Sequence, residues 1–193
     1  MTPSAQRQSE ILRGYFRAKD ENRPHLLDDV FAADARLEII DRAMVVVLPA
    51  AAVGRDAIAD ALVRRFNQTY ENIYSFYLAR PGASAATFGC GWVVFMTTKA
   101  DRAVRAGAGR YDWRFTMGEP FLAEALTITI ETMVQLDGAA WPVVHRWLRA
   151  LAYPWTTAGD ALAAAADVAE LEPLRRCIEE LGATAITPPG RSP

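Results

Sequence analysis

Histidine and cysteine are nearly missing from this chain of 193 residues, with two of each. Cys90 and Cys177 have neither zinc-finger nor redox-motif spacing, so they read as unpaired thiols of a reducing compartment. His25 and His145 lie far apart without an ordered carboxylate cluster, which argues against a metal site. Basic runs are missing too. The 21 Lys and Arg and 23 Asp and Glu are mixed along the chain, for a net charge of -2. No arm or stripe follows a phosphate backbone, and nucleic acid is not expected as a partner. No apolar run is long enough to span a bilayer, since "AMVVVLPAAAV" stops short and contains Pro49. "MTPSAQRQSE" leads into a polar amphipathic segment, so no signal peptide and no membrane are expected, and a cytoplasmic location is. A phosphate loop, a dinucleotide fingerprint and a "GxSxG" elbow are all lacking. No cofactor is expected.

Apolar residues make up 51% of the chain, which is enough for one domain with a sizeable core. Helical periodicity runs from about Ala5 to Asp20, with Ile11, Leu12, Tyr15 and Phe16 as the apolar stripe. "DENRPHLLDDVFAADA" predicts a turn and a short second helix, with Pro24 in its first turn. "RLEII" is extended, and "MVVVL" is a candidate returning strand around Asp41 and Arg42. "GRDAIADALVRRFNQTY" predicts a third helix, with Ile58, Leu62 and Phe66 four residues apart. From Asn72 the period is two. "NIYSFYLA", "AATFGCGWVVFMTT", "AGRYDWRFTM", "AEALTITIETMVQL" and "PVVHRWLRAL" read as the strands of an antiparallel meander, with a bend at Gly89 and Gly91. In "LTITIETMVQL", Glu131 falls on the polar phase, pointing to solvent or a subunit contact. Residues 157–193 predict one or two alanine-rich helices, interrupted near Pro173, with a disordered "TPPGRSP" end.

This layout resembles the nuclear transport factor 2-like superfamily, in its SnoaL-like and ketosteroid-isomerase-like branch. The resemblance rests on "YFRAKDENRPHLLDDVFAADARLEI", "VGRDAIADALVRRF" and "AGRYDWRF", and covers residues 6–156. It implies an α+β cone, with a curved antiparallel sheet wrapped around three N-terminal helices. Residues 157–193 would then be a helical C-terminal extension. It also implies a pocket for an apolar small molecule, and a homodimer through the outer sheet face. Aligned through "FAADARLEI", the family's hydrogen-bonding tyrosine falls on Tyr15 and its proton-shuttling aspartate on Ile39. Isoleucine accepts no proton, so the family's isomerase chemistry is not expected in its usual form.

Two residues stand as replacements for that aspartate. Asp41, two positions beyond Ile39, is either a base at the pocket mouth or the cap of a turn. His145 on a last strand would bring a titratable ring into the pocket beside Trp147, or would face a neighbouring strand or subunit. With Tyr15 these are the catalytic candidates. Tyr77, Trp92, Tyr111, Trp113 and Trp147 are candidate pocket walls. In "GRYDWRF" the aromatics are expected inside, and Arg110, Asp112 and Arg114 outside. Two functions follow from different classes: an isomerase, cyclase or hydrolase without cofactor, or a non-catalytic binding or assembly module.

Overall fold

The computed structural model describes residues 3–44, 48–82 and 86–185. Helix α1 (Pro3–Asp20) buries Ile11, Leu12, Tyr15 and Phe16. It ends where Asn22 takes a left-handed backbone (φ 53°) and the Arg23 amide closes back on the Ala18 carbonyl at 2.8 Å. The short second helix is a 3₁₀ turn, Pro24–Asp29. It stops earlier than expected, and β1 (Phe31–Asp41) takes over "FAADA". The returning strand β2 is Ala51–Val53. Most of the expected "MVVVL" strand, residues 45–47, lies outside the described residues, as does the "TPPGRSP" end. Helix α2 (Arg55–Ala59), a π-helical turn (Asp60–Arg65) and α3 (Phe66–Thr69) follow in one line.

Four long strands come next: β3 (Tyr70–Tyr77), β4 (Thr87–Thr98), β5 (Val104–Phe115) and β6 (Ala123–Leu136). The six strands form one curved, open sheet in the order β2-β1-β6-β5-β4-β3. Its neighbours are antiparallel except β1 and β6, which run parallel. The bend expected at Gly89 and Gly91 lies elsewhere. β4 passes both glycines in unbroken register with β5, and among the sheet's register shifts one falls in the middle of the β5–β6 pair, where Ala108 pairs with Thr132 but Gly109 with Ile130. The extra residue, Glu131, inverts the phase of β6. Ile128 and Ile130 face the inner core, and three residues on Met133 does too, while Val134 and Leu136 face outward. Glu131 itself pairs with Arg42 at 3.0 Å.

The sheet buries both faces. On the concave side, α1, the 3₁₀ turn and the 55–69 helix cover an aromatic core containing Tyr15, Phe31, Tyr77, Tyr111, Trp113 and Phe115. On the convex side a second core joins Phe76, Val93, Phe95 and Ala106 to C-terminal helices. These are α4 (Trp141–Arg149), α5 (Ala158–Ala163) and α6 (Glu172–Ala185). The strand expected over 142–151 is therefore a helix. Pro142 suits its first turn, and Val144, Trp147 and Leu148 recur at helical spacing as its buried stripe. Pro173 does not interrupt the tail, because it opens α6. The tail packs on its own sheet, with Leu171, Leu174 and Ile178 fully buried. Part of the outer face expected to pair two subunits is thus occupied by the chain itself. The uncovered part carries Arg110, Asp112 and Arg114, linked as Arg110–Asp112 (2.9 Å) and Arg114–Glu124 (2.5 Å). Tyr111, Trp113 and Phe115 alternate with them inside. Beyond α4 the chain returns to the free edge of β3. The Tyr77 amide donates to Pro154 O (2.8 Å) and the Thr156 amide to Tyr77 O (2.9 Å), which pairs the last residue of that edge.

Gly109 is where the bulge allows close approach. A Cβ there would stand 1.9 Å from the Thr129 carbonyl oxygen and 2.7 Å from the Trp92 indole. Backbone cannot yield as a flexible side chain can. Gly109→Ala is therefore expected to lower stability by at least about 2 kcal/mol. Gly82→Ala, with nothing within 4 Å, should stay near neutral. Urea unfolding followed by far-UV circular dichroism measures both.

Candidate functional site

Between the helices and the inner sheet face lies a cavity of about 50 Å³. Tyr15 and Lys19 come from α1, one turn apart, and Leu62 and Phe66 from the 55–69 helix. The sheet gives Trp92, Val94 and Met96 from β4, Tyr111 from β5, and Ile128, Ile130 and Met133 from β6; Leu48 completes the wall. Trp92 and Met133 sit over glycines of β5, since a Cβ on Gly107 would lie 2.5 Å from the Met133 methyl. Small residues in the middle strand make room for large ones from its neighbours. Nearly all the surface is hydrocarbon or aromatic.

Lys19 is the exception. It follows Tyr15 by four residues and lies on the same buried stripe, with its side chain 7% exposed. Its ammonium donates to Asp20 Oδ1 at 2.6 Å and to Ser75 Oγ at 2.7 Å. Asp20 also accepts from the Ser75 amide and hydroxyl, both at 2.9 Å. The Phe66 and Phe16 rings face Lys19 Nζ at 5.3 and 5.7 Å from their centroids. Burial raises the Asp20 carboxyl above its ordinary range, against the opposing pull of Lys19 and the Ser75 hydrogen bonds. This buried charged group was missed in the sequence reading, where "AKD" at a helix end looks solvated. Its place on the Ile11, Leu12, Tyr15, Phe16 stripe was the available signal.

Tyr15 is fully buried, edge-on to Tyr111 (5.9 Å) and Trp113 (5.1 Å). Its hydroxyl has no hydrogen-bond partner among the described residues. Burial pushes its ionisation far upward; the Tyr111 hydroxyl is near enough to lower it somewhat, although no bond of ordinary geometry joins them. Trp92 stacks on Tyr111 at 5.5 Å, and both line the cavity. Tyr77 and Trp113 belong to the surrounding aromatic core, with Tyr77 Oη bonded to Leu12 O at 3.0 Å. Asp41 closes β1, where it accepts from the Met44 amide at 2.9 Å as a turn cap, beside Ile130 in register. Ile39 is buried in the inner core.

His145 and Trp147 are not brought to this cavity. Both lie on α4, on the other side of the sheet. The His145 ring stacks on Trp141 (5.4 Å) and borders a surface groove with Arg146 and Arg149. The Trp147 indole donates to Ala161 O at 2.8 Å and packs edge-on against Phe95, so it anchors α5 instead of lining a pocket. Cys90 and Cys177 are free and buried in the inner and outer cores respectively. Among the described residues no three His, Cys, Asp or Glu stand together as metal ligands, and no helix is long and apolar enough to cross a membrane.

Helices seated in the concave face of one curved, open sheet define the nuclear transport factor 2-like fold, and this chain has it. No protein-family model matches the sequence, and no curated protein matches it either. Solved structures do. An NTF2-like superfamily protein from Salmonella enterica serovar Typhimurium superposes with a TM-score of 0.54 at 13% identity, over 65% of this chain and 89% of its own. A ketosteroid isomerase-like protein from Erwinia carotovora atroseptica gives 0.51 at 14% identity, over 67% and 98%. A type 2 hexachlorocyclohexane dehydrochlorinase gives 0.52 at 13% identity, over 69% and 90%. At such identities the likeness is one of fold.

The Lys19–Asp20 pair makes a sharp stability prediction. Asp20→Asn leaves a buried ammonium without its counter-ion and should cost about 3–5 kcal/mol. Adding Lys19→Met removes the stranded charge and should recover most of that loss. Urea titrations of the two single variants and the double variant read the coupling; equal, additive losses would contradict it.

Proposed function

We propose that this protein binds a small, largely apolar molecule within the cone. The apolar cavity between helices and sheet, with Tyr15 and Lys19 on its wall, carries this reading. Its size bounds the ligand. A water needs roughly 10–15 Å³ of such space, so the cavity holds about four waters. That corresponds to an organic molecule of about five non-hydrogen atoms. Pockets for drug-sized ligands start near about 300 Å³, so a polycyclic guest does not fit this conformation. The three similar structures, of an NTF2-like protein, a ketosteroid isomerase-like protein and a dehydrochlorinase, are compatible with small-molecule binding. Two methionines supply a direct readout. With 13C-methyl-labelled methionine, butanone should shift Met96 and Met133, which line the cavity, and leave the exposed Met117 unmoved. Val94→Phe, which fills the space, should weaken the effect by about tenfold or more. Shifts of Met117 alone would point to surface association and against the cavity.

A second reading, proton transfer on the bound molecule, is favoured by one observation. Asp41 continues the inward phase of β1 and pairs with Ile130, which lines the cavity. On this reading Asp41 is the base and Tyr15 the hydrogen-bond donor, while His145 has no part. Exchange of the C3 protons of butanone in deuterium oxide, followed by NMR, tests it. Asp41→Asn keeps an acceptor for the turn and should slow exchange by about a hundredfold, whereas His145→Ala should change nothing. A protein that binds butanone but never speeds exchange is a binding module.

A further inference from the structure

The polar groups around the cavity are unbalanced. Lys19 Nζ spends two of its three donors on Asp20 and Ser75. Trp92 Nε1, on a residue 4% exposed, is buried without a partner among the described residues. No carboxylate, amide or imidazole lies on the wall. Asp20 stands behind Lys19, its oxygens already engaged by Lys19 and Ser75. A ligand oxygen entering this space therefore meets N–H donors that lack acceptors among the described residues; the Tyr15 hydroxyl, likewise unpartnered there, can both donate and accept and so does not discriminate by itself. Its charge is constrained as well. The ammonium is already balanced by a carboxylate at 2.6 Å, so the wall offers no net countercharge to an anion. A cation would meet Lys19 and lose its own hydration in an apolar chamber.

Taking the cavity as a small-molecule site, we propose that Lys19 and Trp92 select neutral hydrogen-bond acceptors, namely small ketones and aldehydes, over hydrocarbons, ammonium ions and carboxylates of the same shape. Lys19 supplies a charge-assisted donor without the long-range pull of a free cation, because Asp20 cancels its field at a distance. Trp92 supplies a neutral donor set in an aromatic wall. Selection thus rests on two residues outside the tyrosine position that the sequence comparison singled out.

Four probes of five non-hydrogen atoms separate the possibilities: butanone, 2-methylbutane, sec-butylammonium and propionate. 2-Methylbutane and sec-butylammonium replace the ketone oxygen by a methyl or an ammonium group, whereas propionate keeps it and replaces the neighbouring methyl by a second, charged oxygen. Binding is read from the Met96 and Met133 methyl resonances. Butanone should bind about tenfold more tightly than 2-methylbutane, the size of one charge-assisted hydrogen bond. Neither ion should shift the two methyls at the same concentration. Trp92→Phe strands no partner, and Lys19→Met with Asp20→Asn leaves no buried charge, so both variants test ligand choice in a folded protein. Each should bring the butanone preference down toward unity while 2-methylbutane binds as before or better. Equal binding of butanone and 2-methylbutane in the parent protein would overturn the selectivity but leave the cavity reading standing. Tighter binding of either ion would overturn it too, and retention of the tenfold preference in both variants would remove the assignment to these residues. If none of the four binds, the cavity reading fails and this inference with it.

Discussion

A lysine ammonium taken out of water must be given back what water supplied, and that requirement organises the junction of α1, β3 and the 55–69 helix. Burial of an ion of this size costs several kcal/mol even after relaxation. Asp20 and Ser75 answer with short contacts on two sides of Lys19. Answering ties three elements together. Asp20 brings the end of α1, and Ser75 brings β3. The Lys19 backbone carbonyl accepts from Asn67 Nδ2 at 2.8 Å, while the same amide group donates to Val63 O at 2.9 Å on the 55–69 helix. Lys99 Nζ in turn donates to Asn67 O at 2.6 Å. The helices are therefore held to the sheet here by a cluster of directional polar contacts, and further along α1 by the Tyr77 hydroxyl on the Leu12 carbonyl together with apolar packing.

The sheet imposes the second constraint. Its inner face must curve around helices, and part of its outer face must accept three more. An unbroken period of two would send one apolar set to one face along each strand's whole length. The extra residue at Glu131 avoids this in β6. Residues before it furnish the cavity wall with Ile128 and Ile130, and residues after it place Met133 inside and Val134 and Leu136 outside. Gly109 receives the resulting close approach of the Thr129 carbonyl. Curvature, the seat of Trp92 and the anchoring of the C-terminal helices thus share one irregularity. The charge ladder Arg110, Asp112, Arg114 lies on the same strand as the cavity's Tyr111, so solvent-facing and cavity-facing roles alternate residue by residue.

Much of this was legible beforehand, and the failures have physical causes. The amphipathic stripe of α1, the third helix, the four meander strands and the aromatic phase of "GRYDWRF" follow from periodicity alone. "PVVHRWLRAL" was misread because its large residues also alternate, and a ten-residue segment satisfies both periods. Pro142 and the Val144, Trp147, Leu148 spacing were the helical signals. That error placed His145 and Trp147 on the wrong side of the sheet. The β6 bulge was hidden because Leu126, Ile128, Ile130, Val134 and Leu136 keep one unbroken alternation in the sequence, although the last two face the other core. Lys19 and Asp20 were passed over because charge at a helix end ordinarily means solvent.

The position of these two residues bears on whether the cone works as a catalyst or a receptor. Moving a proton from carbon needs an acceptor within reach of the ligand and, ordinarily, a way to change its protonation state. The cavity wall presents an ammonium, two tyrosines and an indole, while the Asp20 carboxylate next to Lys19 is absent from the wall and bonded to Lys19 and Ser75. The tyrosines ionise far above neutral pH because they are buried, so they can donate hydrogen bonds but cannot serve as bases. Every resident group is thus suited to stabilising negative charge on a bound oxygen, and none to generating it. On the proton-transfer reading the base is Asp41, at the end of β1 and already holding a turn. On the reading proposed above, the interior alone serves as a receptor for an acceptor group, and chemistry depends on whether Asp41 can exchange its turn-capping bond for the substrate.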